Sequence, residues 1–225
     1  MEQAKNCFDR KLVIFDLDGC LVDTAGEIAL VANTVRERMG FTPLPQEYVK
    51  GCIGGGLRKI LALCLPEVPE RIDEAVEMAK PVYAEISGSI AQPYPGVVDA
   101  LKALHGKRKI ALATNKIRPA TVKLFDKLDI TQYFDFLVCA GDVPNVKPDP
   151  ACVNLALEHF GLKAEEAIMV GDTPVDVKTA RNAGMDTIAV TYGMAKPEDV
   201  LASEPFAAVD SMEKVLEMLL PVEER

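Results

Sequence analysis

Leu12-Val13-Ile14-Phe15-Asp16-Leu17-Asp18-Gly19 sets four apolar residues, two of them β-branched, directly before an alternating acid pair and a glycine. A run this short, apolar at every position and stopped by polar residues, reads as a strand buried on both faces. Runs of the same kind follow at residues 110–113, 136–139, 167–170 and 187–190. Between the later ones the apolar residues fall at helical spacing: Val97, Ala100, Leu101 and Leu104, then Val122, Phe125 and Leu128, then Val153, Leu155, Leu157 and Phe160. Strand and helix in alternation predict an α/β fold, a Rossmann-like doubly wound parallel sheet with helices on both faces.

One interval breaks the alternation. About 90 residues separate the first run from the second, whereas a parallel crossover needs about a dozen. The interval has helical periodicity, with Ile28, Ala29, Ala32, Val35 and Met39 on one face and Ile72, Ala75, Val76, Ala79 and Val82 on another. The expectation is a helical cap over residues 21–91, inserted after the first strand into a catalytic core of residues 1–20 and 92–225. Hinges are expected near residues 20–24 and at Gln92-Pro93-Tyr94-Pro95-Gly96, whose prolines and glycine suit a linker.

The 225 residues are enough for one sizeable domain carrying a smaller insertion, and 49% hydrophobic with 26% charged residues is ordinary globular usage. A net charge of −9, with no basic run longer than Lys107-Arg108-Lys109, argues against a nucleic-acid polymer or a membrane surface as partner. A small anionic substrate held by a few cations in a cleft remains open. Residues 1–11 are polar and mixed in charge, and nowhere do 18 apolar residues run together, so a cytoplasmic location is expected. Six cysteines without a C-x-x-C pair read as reduced core thiols. His105 and His159 fall in helical stretches away from the strand ends and receive no role. The sequence does not fix the oligomeric state.

Ligands in open α/β sheets sit at the carboxyl ends of the strands, so the residues that follow each run carry the chemistry. They are Asp16 and Asp18, then Thr114-Asn115-Lys116, then Lys147, then Asp172 and Asp176. Singly, an Asp at a strand end is a cap or turn residue and a lysine a solvated charge. Together they would concentrate carboxylates at one edge, which is costly unless a divalent cation neutralises them. Oxygen ligands of this kind suit Mg²⁺ with a substrate phosphate.

Asp16-Leu17-Asp18-Gly19-Cys20-Leu21-Val22-Asp23-Thr24 resembles the first motif of the haloacid dehalogenase superfamily. Ala113-Thr114-Asn115 resembles the second motif, Lys147-Pro148-Asp149-Pro150 the third, and Gly171-Asp172-Thr173-Pro174-Val175-Asp176 the fourth. The resemblance spans residues 11–195 and implies a role for each residue. Asp16 is implied as nucleophile, forming an aspartyl-phosphate, and Asp18 as general acid and then base. Mg²⁺ would be held by Asp16, the Asp18 backbone carbonyl and Asp172, with Asp176 as a further ligand or a support. Thr114, Asn115 and Lys147 would bind the phosphoryl oxygens, Lys147 also balancing transition-state charge.

Asp18 argues against a dehalogenase or a phosphonoacetaldehyde hydrolase, which lack an acid at that position. A phosphatase is expected ahead of a phosphomutase or a non-catalytic phosphoester-binding protein. Thr114-Asn115-Lys116 and the cap stretch Ile53-Gly54-Gly55-Gly56-Leu57-Arg58 resemble phosphoglycolate phosphatases within the superfamily. The implied substrate is a small phosphorylated metabolite, best 2-phosphoglycolate, with pyrophosphate, sugar phosphates and nucleotides as alternatives. Gly55, Gly56, Arg58 and Lys116 are the expected specificity residues, Arg58 pairing with a carboxylate. Cys20, where Thr or Val is common, is small enough to be accommodated.

Overall fold

The computed structural model describes residues 7–225; residues 1–6, part of the polar N-terminal stretch, lie outside them. The first apolar run is strand β1 (Leu12–Phe15), buried at every residue. A two-residue strand β2 (Val22–Asp23) leads into helices α1 (Ala25–Arg38), α2 (Gln46–Lys50), α3 (Leu57–Cys64) and α4 (Ile72–Ile86). Strand β3 (Gln92–Pro93) returns antiparallel to β2, pairing Val22 with Pro93 and Asp23 with Gln92. The outgoing and incoming chains of the insertion are therefore tied to each other where they leave the core.

The remaining elements alternate: α5 (Val97–Leu104), β4 (Lys109–Ile117), α6 (Arg118–Leu128), β5 (Phe136–Ala140), α7 (Ala151–Phe160), β6 (Ala167–Gly171), α8 (Pro174–Asn182), β7 (Asp186–Val190), α9 (Pro197–Ala202), β8 (Ala207–Val209) and α10 (Met212–Leu219). Six strands form one sheet in the order β5-β4-β1-β6-β7-β8, and every pair in it is parallel. β1 is central: the chain first builds outward through β4 and β5, then returns to the other side of β1 at β6. That reversal opens a crevice at the carboxyl end of β1.

The pleat alternates its side chains as the period-two rule requires. Val13 and Phe15 face α5, α6 and α10 through Leu101, Leu104, Phe125 and Val215. Leu12 and Ile14 face α7 and α8 through Val153, Ala156 and Ala180. The inserted helices bury a cluster of their own, built on Ile28, Val35, Leu61, Ala75 and Val82 and reaching the core helix α6 at Ala120. Arg36 is buried at the far end of this cluster, where it donates to the Thr42 and Cys64 carbonyls and pairs with Glu67 at 3.0 Å. A buried guanidinium whose three nitrogens all donate ties the α1–α2 loop to the end of α3.

Candidate active site

The strand ends deliver their side chains to one place. Lys147, on the loop between β5 and α7, is buried and sits 2.7 Å from Asp16 Oδ1 and 2.7 Å from Asp176 Oδ1. Asp176 opens α8, and its other oxygen accepts from the amide and hydroxyl of Thr173 in a capping box. Asp172, fully buried after β6, accepts from the Met194 amide at 2.7 Å through Oδ2, while its Oδ1 has no hydrogen-bond partner among the described residues. Carboxylate oxygens of Asp16, Asp172 and Asp176 lie within 4.8 Å of one another.

Three buried carboxylates face one ammonium, more acids than that cation balances. Burial pushes Asp16 up to about 7 against the pull of Lys147, with Asp176 adding to the rise. Burial, then Asp176 and Asp16, lift Asp172 well above the carboxylate range. Lys147 moves upward too, because Asp16 and Asp176 together outweigh the burial that opposes its charge. A site with three carboxylates to one ammonium, and with a buried carboxylate oxygen left without a partner, fits a divalent cation. The donor set is all oxygen, which suits a hard ion and disfavours zinc or copper.

Gly19 explains how Asp172 comes so close. Its φ of +94° is left-handed, and a Cβ there would overlap the Asp172 carboxyl group. Only glycine allows both the turn after Asp18 and the approach of Asp172.

Asp18 is held on a second set of partners. Its Oδ1 accepts from the Thr24 hydroxyl at 2.7 Å and from Lys116 Nζ at 3.0 Å. Lys116 is wholly buried and also donates to the Tyr83 hydroxyl of α4 at 2.6 Å. Asn115 is a clasp: its Nδ2 donates to the carbonyls of Gly54 and Lys147 at 3.0 and 3.2 Å, and its Oδ1 accepts from the Lys147 amide at 2.8 Å. One side chain thus ties the glycine loop of the insertion to the lysine loop of the core. Thr114 lines the same space and accepts from the Lys116 amide. The cavity they line is bounded on the insertion side by Ile53, Leu57 and Ile60.

Of the residues singled out in the sequence, Asp16, Asp18, Thr114, Asn115, Lys116, Lys147 and Gly56 line this cavity, and Asp172 and Asp176 stand against Asp16. Two are not brought there. Arg58 points outward on α3, its side chain 64% exposed and paired with Asp73. Gly55 backs onto the Lys59 side chain, while Gly54 and Gly56 supply the loop's cavity face. The reason is the start of α3 at Leu57, which turns the residue after it away from the loop's inner side. Thr24, Tyr83 and the Met194 amide carried no assignment from the sequence. Thr24 follows the acid pair closely enough to have been suspected; Tyr83 is one more apolar-face residue of α4 until the fold places it over Lys116. Cys20 is buried, and burial with the nearby Asp172 pushes its thiol far above the usual range, so it packs as an unreactive filler.

The chain matches the family described as haloacid dehalogenase-like hydrolase over residues 13–190. It belongs to that family. Its relatives include a phosphoglycolate phosphatase of Cupriavidus necator, 35% identical with 93% of each chain covered. One from Vibrio parahaemolyticus is 30% identical over 94% of this chain and 96% of the relative. A haloacid dehalogenase-like family hydrolase from Streptococcus pneumoniae superposes with a TM-score of 0.85 at 26% identity, covering 94% of this chain and 99% of that one. The chain is a hydrolase of the phosphatase type, with a Rossmann-like α/β core. Among the described residues no helix is long and apolar enough to cross a membrane.

Proposed function

We propose that the protein is a Mg²⁺-dependent phosphomonoester hydrolase that works through an aspartyl-phosphate on Asp16, with 2-phosphoglycolate as its substrate. The observation that carries the reading is the pairing of two acids with two different cations. Asp16 shares Lys147 with Asp176, and Asp18, two residues on, is held by Lys116 and Thr24. Separate partners hold the two acids in separate places, so that one can meet phosphorus while the other faces the leaving group.

In the first half-reaction an Asp16 oxygen attacks phosphorus and the bond from phosphorus to the alcohol oxygen breaks. Asp18 protonates the departing alkoxide through Oδ2, the oxygen not taken by Thr24 and Lys116. In the second half-reaction Asp18, now ionised, removes a proton from water as the water attacks phosphorus, releasing inorganic phosphate and restoring the Asp16 carboxylate. Lys147 and the Thr114 hydroxyl bind the phosphoryl oxygens, Lys147 stabilising charge that grows in the transition state. Asp16, the Asp18 main chain and Asp172 would hold Mg²⁺, with Asp176 supporting Lys147 and the ion, and the ion would neutralise the carboxylates and polarise the phosphoryl group.

The names of the relatives support 2-phosphoglycolate, and so does a small cavity with a second lysine beyond Asp18. Residues 21–91 act in this reading as a cap over the core of residues 1–20 and 92–225, with the β2–β3 ribbon as its hinge. Six free, buried cysteines fit a reducing, cytoplasmic location. Phosphate release with and without Mg²⁺ from 2-phosphoglycolate, pyrophosphate, a hexose phosphate and a nucleoside monophosphate tests the proposal. It predicts Mg²⁺-dependent release with 2-phosphoglycolate preferred; release led by another ester retains the phosphatase and removes the substrate, and no release from any ester removes the function.

A further inference from the structure

Resting on the phosphatase reading, we infer that Tyr83, on helix α4 of the insertion, is a specificity-determining residue: its hydroxyl and Lys116 together read a carboxylate on the substrate's leaving group. The argument begins with position. Asp18 must touch the ester oxygen that leaves, so any group bonded to Asp18 lies beside the leaving alcohol. Lys116 Nζ is that group, 3.0 Å from Asp18 Oδ1, and Tyr83 is 2.6 Å beyond it. A carboxylate one carbon away from the ester oxygen falls within reach of this pair, whereas a longer substituent would meet the apolar wall of Ile53, Leu57 and Ile60.

The hydrogen-bond count gives the pair its donors. A lysine ammonium has three N–H groups, and Lys116 gives one to Asp18 and one to Tyr83. The Tyr83 hydroxyl accepts from Lys116, and its own proton has no acceptor among the described residues. Burial, with Asp18 and Glu27 nearby, pushes the phenol well above its ordinary value, so it stays a donor. Two donors lining the cavity side by side, one cationic, match the two oxygens of a carboxylate. The lysine at the opposite end, Lys147, is shared between Asp16 and Asp176, which leaves Lys116 as the cavity lysine on the leaving-group side. The reader spans both parts of the protein, since β4 supplies Lys116 and the insertion supplies Tyr83. Arg58, exposed and paired with Asp73, takes no part.

The test compares 2-phosphoglycolate with ethyl phosphate, which replaces the carboxylate by a methyl group, in wild type, Tyr83→Phe and Arg58→Ala. Removing one donor to a charged oxygen is expected to lower kcat/KM for 2-phosphoglycolate by about tenfold in Tyr83→Phe, mostly through KM. Ethyl phosphate should change by less than about twofold in that variant, and Arg58→Ala should leave both substrates within the same range. An equal loss on both esters would make Tyr83 a support for Asp18 rather than a reader, and no loss on either would remove it altogether. Thermal melting of Tyr83→Phe, expected to match wild type, separates these outcomes from a folding defect. Wild type that cleaves p-nitrophenyl phosphate yet shows no preference for 2-phosphoglycolate over ethyl phosphate overturns the carboxylate reader alone. Failure to cleave any of the three esters overturns the phosphatase reading with it.

Discussion

Thr24 occupies the capping position of α1 but its side chain caps nothing; the hydroxyl turns instead to Asp18 Oδ1 at 2.7 Å. A local rule set aside at one residue marks a site where function decides. Thr24→Val should therefore cost little stability, yet lower kcat by about tenfold at unchanged KM, because Asp18 loses a partner that fixes its orientation; steady-state kinetics beside a melting curve check both parts. Asp16→Asn removes the nucleophile and one of three clustered carboxylates. Turnover should vanish, while in EDTA at neutral pH the variant should melt above wild type, since a buried acid crowded by two others gives way to a neutral amide. A lower melting point would contradict that crowding. Lys147→Ala should reduce kcat by a factor of about a hundred or more, the scale of a lost transition-state donor of about 3 kcal/mol. At this scale the acids, Lys147, Thr114 and Asn115 were legible because each follows an apolar run. Tyr83 and the Met194 amide were not, since nothing in their own neighbourhoods distinguishes them from core and loop residues.

The glycine loop shows what an element requires of its residues. Gly56 precedes α3 with φ +83°, in the left-handed region, while Gly55 is not left-handed and faces the flexible Lys59 side chain. Gly56→Ala should then cost about 1 kcal/mol and raise KM, and Gly55→Ala should be close to neutral, as thermal melting and kinetics on the two variants would show. Equal effects would mean that the loop acts as a plain flexible turn. The five apolar runs lie within five strands of the sheet, because strands buried on both faces are apolar throughout. β8 escaped notice: it has three residues, none fully buried, at the sheet's edge. The β2–β3 ribbon escaped too, since two residues on each side carry no periodicity and only the fold brings Val22 to Pro93. The helical period of α4 was legible, but not that Arg58 would leave the loop's inner face, which depends on where α3 starts.

Over the whole molecule, a net charge of −9 coexists with a pocket that must accept a phosphate, and the local balance decides between them. Without a divalent ion the carboxylate cluster opposes folding as pH rises. Asp16, raised to about 7, binds its proton more tightly in the folded than in the unfolded chain, and Asp172 shifts the same way. The Asp16 contribution is complete below about pH 4 and is lost as pH passes through about 7. The melting temperature in EDTA should therefore fall between pH 5 and pH 7.5, and the gain on adding Mg²⁺ should grow over the same interval; a gain independent of pH would place the ion elsewhere. The central claim, a phosphoryl group carried by Asp16, is tested most directly by trapping. Asp18→Asn lacks the base for the second half-reaction but can still be phosphorylated by acetyl phosphate, whose leaving group needs no proton. Borohydride reduction followed by peptide mass spectrometry should then find homoserine at position 16. Modification at another residue, or an unaltered Asp16 under conditions where wild type releases phosphate, would contradict the account.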